Sequence, residues 1–386
     1  MRILAMNSGS SSLKFGLYEM GPAEDRLLSG SVSGIGLATS VFRAKDGKGR
    51  LLADRSVTVT DSRDAVNTLL VWLEEGNSRR GLDAVGYRMV HGGPRYREPC
   101  RATPELMQEL EALSPIDPEH LPAAVAVVNA CRRAYPDVEH VLCFDTAFHR
   151  TLPSVAQTIA LPQSLRDEGI LRYGFHGLSY EFVCEQLGSD ASGARIIIAH
   201  LGNGASMAAV KDGRSIETTM GFSPTGGLVM STRSGDLDPA VVLYLLRHKG
   251  MSPDQINEMV NRQSGLLGVS GLSSDMQQLL EKAHESSHAA LAVELFCYQA
   301  RKSVGALSAV LGGLDRLLFT GGIGENAPPI RERICSDLGF LGIHLDAERN
   351  SAGVAVISAD DSAVTVQVVK TNEELMIARH TFRLVG

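Results

Sequence analysis

The distribution of apolar and polar residues predicts alternating strands and helices from the start of the chain. Short apolar or alternating runs, typical of strands, occupy residues 2–7, 13–20, 27–35 and 50–60. Residues 63–75 differ, because their apolar side chains recur at helical spacing on one face. The opening of the chain therefore combines several strands with one amphipathic helix.

The pattern then changes to buried strands separated by helices. Residues 83–91 and 138–145 are nearly continuous apolar runs that predict buried strands. Between them, helical spacing predicts helices at about 104–113 and 119–134. Strands that alternate with helices are typical of an α/β protein.

Near residue 195 the opening pattern begins again. The segment RIIIAHLGNGASMAAVKDGRSIE aligns with RILAMNSGSSSLKFGLYE, so that Met6 matches His200 and Gly9 matches Asn203. Each segment has an apolar strand, a turn of small polar residues and a second strand. A repeat with a period of about 190 residues indicates a duplicated domain rather than a solenoid.

The second copy continues with further predicted elements. Helices are expected at about 238–248, 253–261, 275–284 and 287–311. Strands are expected at 315–322, 353–358 and 363–370, with the turn GGIGEN after the first of them and a terminal helix from about 373. Two similar halves that each offer a small-residue turn place a ligand in the cleft between them.

The first of these turns, NSGSSS at residues 7–12, has two interpretations. One is an ordinary hairpin turn, since Asn, Gly and Ser are common turn residues. The other is an anion cradle, in which Ser10, Ser12 and backbone N–H groups converge on a phosphate and Lys14 adds a positive charge. The duplication favours the cradle, although the segment lacks the Walker pattern and a strand follows it.

Composition limits the classes of function. A chain of 386 residues is long enough for two domains, and 44% hydrophobic with 21% charged residues is globular. The net charge of −7 and the lack of a basic block disfavour nucleic acid or an anionic membrane as partner. No signal peptide or membrane helix is predicted, and six cysteines without C-x-x-C spacing indicate a reducing compartment.

Eight motifs, in order along the chain, resemble those of the acetate kinases, which belong to the superfamily of sugar kinases, actin and the chaperone ATPases. They are NSGSSSLKF (7–15), YRMVHGG (87–93), FDTAFH (144–149), YGFHG (173–177), HLGNGAS (200–206), MSTRSGDLDP (230–239), TGGIGEN (320–326) and TNEEL (371–375). The resemblance covers essentially the whole chain. It implies two actin-like ATPase domains, each a ribonuclease H-like mixed sheet flanked by helices, with a ligand cleft between them. We expect one domain at 1–147, completed by the helix 374–386, and a nucleotide-binding domain at 148–373.

The chain also departs from the family pattern. Asp275-Met276-Gln277 stands where the family usually has Asp-x-Arg, and Ser231 stands where it usually has Gly. Leu178 and Tyr180 replace the usual Thr and His after FHG. The segment LSPIDPEHL (113–121) replaces LAPLHNP, near the acceptor pocket or a dimer surface.

Phosphoryl transfer to a carboxylate needs positioning and positive charge more than a general base, because the acceptor is already ionised at neutral pH. Arg88 lies at the end of a buried strand, and its planar guanidinium can bind the acceptor carboxylate through two N–H donors. The alternative is that Arg88 forms a buried ion pair within the protein. By resemblance, Arg233 clamps the transition state and His176 hydrogen-bonds the transferred phosphoryl group. By resemblance Asp145 is also catalytic. We expect it to position a water molecule bound to the metal rather than to act as a general base.

The resemblance also assigns ligand-binding residues. The metal positions are Asn7 and Glu373, for Mg²⁺ with Mn²⁺ as an alternative. Val90 and Phe175 are expected to line the acyl pocket, or else to be ordinary core. The expected nucleotide-binding residues are Ser10, Ser12, Lys14, His200, Leu201, Gly202, Asn203, Gly204, Asp275, Met276, Gln277, Gly322, Ile323, Gly324, Glu325 and Asn326.

The sequence thus predicts a cytoplasmic, homodimeric acetate kinase that transfers the γ-phosphoryl group of ATP to acetate, giving ADP and acetyl phosphate. A propionate or butyrate kinase on the same scaffold is an alternative, since one methylene changes binding by only about 1–3 kcal/mol. A non-catalytic ATP-binding switch is another, but it would not need Arg88, His176 and Arg233 together.

Overall fold

The structure is a computed structural model that describes residues 1–9, 12–76, 81–114, 117 and 120–386. The chain divides into two compact units. The first unit comprises Met1–Ala147, Gly177–Ser179 and Asn372–Gly386, and the second comprises Phe148–His176 and Tyr180–Thr371.

The strands of the described residues are β1 Arg2–Ser8, β2 Ser12–Met20, β3 Glu24–Ser33, β4 Ser40–Asp46, β5 Leu51–Val57, β6 Leu82–Met89, β7 Cys100–Arg101, β8 Glu139–Phe144, β9 Arg195–Leu201, β10 Ala205–Lys211, β11 Arg214–Thr218, β12 Arg316–Thr320 and β13 Thr365–Val368. The α-helices are α1 Ser62–Glu75, α2 Pro104–Ala112, α3 Leu121–Ala134, α4 Ser154–Gln157, α5 Gln163–Asp167, α6 Gly177–Leu187, α7 Pro239–His248, α8 Pro253–Arg262, α9 Gly265–Ser270, α10 Met276–Lys282, α11 Ser287–Leu311, α12 Gly321–Asn326, α13 Pro328–Cys335, α14 Ala347–Ala352 and α15 Glu373–Val385. Short 3₁₀ turns lie at Ala147–Thr151, Gly188–Ala191 and Gly339–Leu341.

The first unit is built on an eight-stranded sheet with the order β5-β4-β3-β2-β1-β6-β8-β7. Strands β1, β6 and β8 are parallel, whereas β1, β2 and β3 are antiparallel neighbours. Alternate residues of these strands, such as Leu4 and Met6, join the helices α1, α2 and α3 in one hydrophobic core. The C-terminal helix α15 packs on the same strands.

The second unit repeats the arrangement in a five-stranded sheet with the order β11-β10-β9-β12-β13. Here β9, β12 and β13 are parallel and β9, β10 and β11 antiparallel, as for the equivalent strands of the first unit. The predicted fold class, a duplicated mixed α/β frame with helices on each sheet, is thereby confirmed. The long helix α11 packs against β9 and β10.

A glycine on β6 lets α15 approach the sheet closely. A Cβ atom at Gly86 would lie 2.2 Å from the Thr381 hydroxyl oxygen and 2.6 Å from a methyl carbon of Ile377. Because side chains alternate along a strand, Arg88 points to the same face as Gly86 and so toward α15. The sequence of β6 therefore directs a charged side chain to the face that this helix covers.

Several predicted elements differ from the structure. Strand β4 was not predicted, because it lies in a segment with weak alternation. The expected strand at 353–358 is wrong: this segment forms only isolated bridges, one of them between Val356 and Gln367. The expected turn GGIGEN is the short helix α12, whose first residue, Gly321, has a φ of 78° that favours glycine.

All six cysteines are free, and four of them are buried. Among the described residues, no helix has both the length and the apolar character needed to cross a membrane.

Candidate active site

Three polar residues of the first unit meet at one edge of its sheet because they follow parallel strands. Asn7 lies at the end of β1, Arg88 near the end of β6, and Asp145 directly after β8. The carboxyl ends of parallel strands share an edge, which is where open α/β sheets bind ligands. The fourth partner is the N-terminus of α15, with Glu373 and Glu374 in its first turn.

The buried carboxylate of Asp145 forms an ion pair with Arg88, whose side chain is 15% exposed. One oxygen of Asp145, Oδ2, accepts from Arg88 Nε at 2.9 Å and from Nη2 at 2.6 Å. Arg88 Nη1 donates to the carbonyl oxygen of Ser8 at 3.0 Å. Asp145 is 1% exposed, and its other carboxylate oxygen, Oδ1, has no hydrogen-bond partner among the described residues. An unsatisfied buried carboxylate oxygen is costly, so its position indicates a site for water or a ligand group.

The electrostatics of this pair reflect its burial. Burial alone would lower the pKa of Arg88, but the negative charges of Asp145 and Glu373 outweigh burial and raise it. Burial, together with the charge of Glu373, raises the pKa of Asp145, while Arg88 opposes the rise. Arg88 therefore stays charged, and within the described residues three of its five N–H donors have a hydrogen-bond partner.

Asn7 links the two carboxylates at the start of α15. Its side-chain amide donates to Glu373 Oε2 at 2.8 Å and to Glu374 Oε1 at 3.0 Å. Burial and the neighbouring Glu373 raise the pKa of Glu374, whereas Lys14 lowers it. Lys14 is exposed and lies directly opposite Asn7 in the β1–β2 ladder.

This group of oxygen donors fits a magnesium ion. Magnesium takes one or two protein carboxylates and keeps several waters or phosphate oxygens. Glu373 and the unsatisfied oxygen of Asp145 are hard ligands of this kind, and their charges interact. No group of three His, Cys, Asp or Glu side chains suited to a metal occurs in the described part of the chain.

The remaining predicted residues of the first unit are placed as follows. Ser10 lies outside the described residues, and Ser12 closes the turn after β1 by accepting from the N–H of Gly9 at 2.8 Å. Val90 is 2% exposed. In the divergent segment 113–121, Asp117 is buried beside His120, with 2.9 Å between Asp117 Oδ1 and His120 Nδ1, and its charge interacts with Arg88.

The second unit contains a cavity of about 430 Å³. It opens between the turn after β9, the start of α10 and the helix α12. Its lining residues are Gly202, Asn203, Ser231, Asp275, Met276, Gln277, Leu280, Gly322, Ile323, Asn326, Ala327 and Pro329. Eight of them were predicted to bind nucleotide, and this size suits part of a nucleotide.

Local structure explains several of these positions. Asp275 caps α10 by accepting from the N–H of Gln278 at 2.9 Å, which fixes the start of this helix at the cavity. Ser231, at the position where the family usually has Gly, donates from its hydroxyl to Asn203 Oδ1 at 3.4 Å. Gln277 Nε2 donates to Glu281 Oε1 at 3.1 Å, one turn along the same helix.

Other predicted nucleotide residues do not line this cavity. The side chain of Leu201 is fully buried, and Gly324 is buried near Phe319. Glu325 Oε1 accepts hydrogen bonds from the N–H groups of Gly321 at 3.0 Å and Thr371 at 3.1 Å. Its carboxylate therefore binds backbone N–H groups of the protein and not the cavity. His200 stacks on His176 with 4.2 Å between ring centroids.

His176 and Arg233 approach one another at Gly204. A Cβ atom at Gly204 would lie 3.1 Å from His176 Nε2 and 3.5 Å from Arg233 Nη1. Arg233 Nη1 donates to the carbonyl oxygen of Pro224 at 3.2 Å. Glycine therefore leaves a small space where an imidazole and a guanidinium converge, which suits a phosphoryl group.

A buried histidine supports the loop that carries His176. His149 Nε2 donates to the carbonyl oxygen of Phe175 at 3.0 Å, and Nδ1 accepts from the Ser215 hydroxyl at 2.8 Å. The carbonyl can only accept, which fixes the proton on Nε2. His176 itself has φ of 59°, an uncommon conformation for a residue with a side chain. Phe175 is 1% exposed.

We expect His149 to make stability depend on pH. Burial lowers its pKa from 6.5 to about 4. Between these values the unfolded chain binds a proton that the folded chain does not, so stability is fully present above pH 6.5 and falls as the pH falls toward 4. The contribution amounts to about 3 kcal/mol. Urea unfolding of the wild type and of His149→Gln at pH 7 and 4.5 measures this contribution. Between these pH values the free energy of unfolding should fall more for the wild type than for His149→Gln. An equal fall in both proteins would contradict the role of His149.

Sequence analysis missed two residues of this region. Ser206, on β10, lies 2.8 Å from His176 Nδ1 through its hydroxyl oxygen, and Tyr180 hydrogen-bonds the same hydroxyl. Tyr180 had been noted only as a departure from the family pattern. The spacing of four residues between His176 and Tyr180 was the available signal, because it places both on one helical face.

A duplicated mixed sheet, with a glycine-lined cavity in the second unit that suits part of a nucleotide, is the arrangement of a nucleotide-dependent phosphotransferase. Comparisons with known proteins agree. The sequence model of the acetokinase family matches residues 2–379. The acetate kinase of Rhodopseudomonas palustris (strain TIE-1) is 44% identical over 392 residues, which cover 99% of this chain and 98% of that protein.

Solved structures give the same result. The crystal structure of Porphyromonas gingivalis acetate kinase superposes with a TM-score of 0.88 at 40% identity, covering 100% of both chains. That of a propionate kinase from Francisella tularensis subsp. tularensis SCHU S4 gives a TM-score of 0.92 at 37% identity, covering 99% of both chains. The chain belongs to the acetokinase family, as its motifs predicted.

Proposed function

We propose that this enzyme is an acetate kinase, which reversibly transfers the γ-phosphoryl group of ATP to acetate and forms acetyl phosphate and ADP. The observation that carries the proposal is the partly buried Arg88, which stays charged and which uses only three of its five N–H donors within the described residues, so that a small carboxylate can bind the others. The two compact units then correspond to two functional domains, with acceptor binding assigned to the first and nucleotide binding to the second.

On the acceptor side, Arg88 binds and orients the acetate carboxylate. Asp145 holds the guanidinium through a single oxygen, so the arginine is fixed before the substrate arrives. The acetate oxygen that attacks phosphorus is already ionised and needs no base. Val90 and Phe175, both nearly fully buried, are proposed to contact the methyl group of acetate.

On the nucleotide side, the cavity lined by Gly202, Asn203, Asp275, Met276 and Gln277 receives the base and sugar. Backbone N–H groups near Gly322 bind phosphate oxygens, because glycine allows a close approach. Arg233 and the Nε2 atom of His176 stabilise the charge on the transferred phosphoryl oxygens. The phosphoryl group passes in line from ATP to acetate without a covalent enzyme intermediate. The acetate oxygen forms a bond to the γ-phosphorus as the bond to the β–γ bridging oxygen breaks, and that oxygen leaves on ADP.

Magnesium is proposed as the cofactor, held by Glu373 with Asn7 and water, and it neutralises phosphate charge when bound. Asn7 orients Glu373 through the hydrogen bond at 2.8 Å. The unsatisfied oxygen of Asp145 would accept a hydrogen bond from a water molecule bound to this metal.

A steady-state assay of acyl phosphate formation with acetate, propionate and butyrate tests the proposal. We expect kcat/KM to be highest for acetate. A higher value for propionate would favour the alternative, which the similarity to a propionate kinase keeps open. Absence of turnover with all three would contradict the proposed function and support a non-catalytic ATP-binding switch.

Gln277 should weaken nucleotide binding relative to an arginine at the same position. It lines the cavity, but its neutral side chain cannot provide a cation–π or stacking contribution of about 0.5–2 kcal/mol. The base and sugar do not change during transfer, so Gln277→Arg should lower the KM for ATP by about three- to thirty-fold and leave kcat nearly unchanged.

Gln278→Arg provides the matched control, because it adds the same charge one residue along α10 at a position that does not line the cavity. An unchanged KM for ATP and GTP in Gln277→Arg, or an altered kcat, would show that position 277 does not contact the nucleotide.

We also propose that the enzyme is a cytoplasmic homodimer. The helix α7 has no buried residue, yet it exposes Val241, Leu243, Tyr244 and Leu246. A surface of this kind is typical of an interface between subunits. Light scattering at micromolar concentration should give twice the chain mass of 41.3 kDa. Leu243→Asp should lower the solution mass, whereas the control Leu51→Asp, on the exposed strand β5, should leave it unchanged. A solution mass equal to one chain for the wild type would contradict the dimer.

A further inference from the structure

Three side chains of the second unit form a chain of hydrogen bonds that ends at His176. The Ser206 hydroxyl oxygen lies 2.8 Å from His176 Nδ1, and a short hydrogen bond joins the same hydroxyl to that of Tyr180. Both Tyr180 and Ser206 are 0% exposed. Bulk water therefore does not compete for these hydroxyl groups, and each hydrogen bond fixes the next.

The local structure brings these residues together. His176 is the N-cap of α6, and Tyr180 follows one turn later on the same helical face. The N–H of Tyr180 donates to the carbonyl oxygen of His176 at 3.1 Å, which closes this first turn. Ser206 comes from β10, where it pairs with His200 of β9.

Two further groups lie close to the His176 ring. Its ring stacks on that of His200 at 4.2 Å between centroids, and Arg233 Nη1 approaches it at Gly204. A neutral imidazole carries a proton on only one of its two nitrogens. To donate a hydrogen bond toward Gly204, His176 must carry that proton on Nε2, the nitrogen that faces Gly204.

We propose that Tyr180 and Ser206 are positioning residues that select this tautomer of His176. The Tyr180 hydroxyl donates to Ser206, and the Ser206 hydroxyl donates to His176 Nδ1. The imidazole proton is then held on Nε2, and no proton is transferred along the chain. This inference rests on the proposed function, in which Nε2 donates to the transferred phosphoryl group.

The arrangement is a feature of this chain, since the acetate kinase pattern usually has His where Tyr180 stands. A phenol keeps its proton at neutral pH, whereas a second imidazole could itself bind or lose one. The Tyr180 hydroxyl thus provides a hydrogen-bond donor at this position. Its ring packs against Phe148 and His149, so the hydroxyl is held in place.

The test uses Tyr180→Phe, which removes the hydroxyl and keeps the ring. We expect kcat to fall by about tenfold while the KM values for ATP and acetate stay within about twofold, because the effect is on the transition state. Tyr173→Phe is the matched control. It removes another buried hydroxyl of the same loop region, which donates to the carbonyl oxygen of Gly169 at 2.6 Å, and it should leave kcat unchanged.

A double-mutant comparison separates positioning from packing. In a His176→Ala background, Tyr180→Phe and Ser206→Ala should each change kcat by less than about twofold, because both act through His176. A full tenfold loss in that background, an equal loss in Tyr173→Phe, or an unchanged kcat in Tyr180→Phe would overturn the inference. An unchanged kcat in His176→Ala would also overturn the inference. Formation of acetyl phosphate by the wild type would support the proposed function in either case.

Discussion

Replacing Arg88 by alanine should lower kcat by about 10²–10⁴ and raise the KM for acetate, with the KM for ATP nearly unchanged. The guanidinium is fixed by Asp145 and Ser8 and is proposed to hold the acceptor in line with the phosphorus atom. Its loss removes both binding and orientation of the carboxylate. Steady-state kinetics with each substrate varied in turn measures the effect.

Stability has to be separated from catalysis in this variant. Arg88→Ala leaves the carboxyl group of Asp145 buried without its cation, so Tm should fall. The double variant Arg88→Ala/Asp145→Asn removes that charge and should recover part of Tm without recovering kcat. If the single variant melts earlier but keeps nearly wild-type turnover, Arg88 has a structural role only.

Arg233→Ala should lower kcat by a similar factor of about 10²–10⁴, but with the KM values for both substrates little changed. Arg233 approaches His176 at Gly204, where charge develops on the phosphoryl oxygens only during transfer. An interaction made mainly in the transition state affects kcat rather than ground-state binding.

Arg233→Lys is the informative companion variant. It keeps the charge but lacks the planar fork, so its kcat should lie between those of the wild type and Arg233→Ala. Equal kcat values for the wild type and Arg233→Ala would remove Arg233 from the proposed mechanism.

Local patterns were sufficient for much of the fold. The helices at 62–75 and 287–311 and the strands around Ile3 and Ile197 are long or strongly apolar, so periodicity alone located them within a residue or two. Weak patterns failed: β4 is partly exposed, and the six residues of α12 contain three glycines, whose conformation depends on neighbouring strands.

The sequence by itself determined the duplicated frame and the chemical types of the site residues, because strand periodicity and small-residue turns are local properties. Only the tertiary structure decided how these residues pair. Asn7 contacts Glu373, 366 residues away, because β1 and α15 pack together. Similarly, Ser206 reaches both Tyr180 and His176 because α6 packs beside β10. Contacts of this kind depend on sheet register and helix packing, and a single sequence carries no local signal for either.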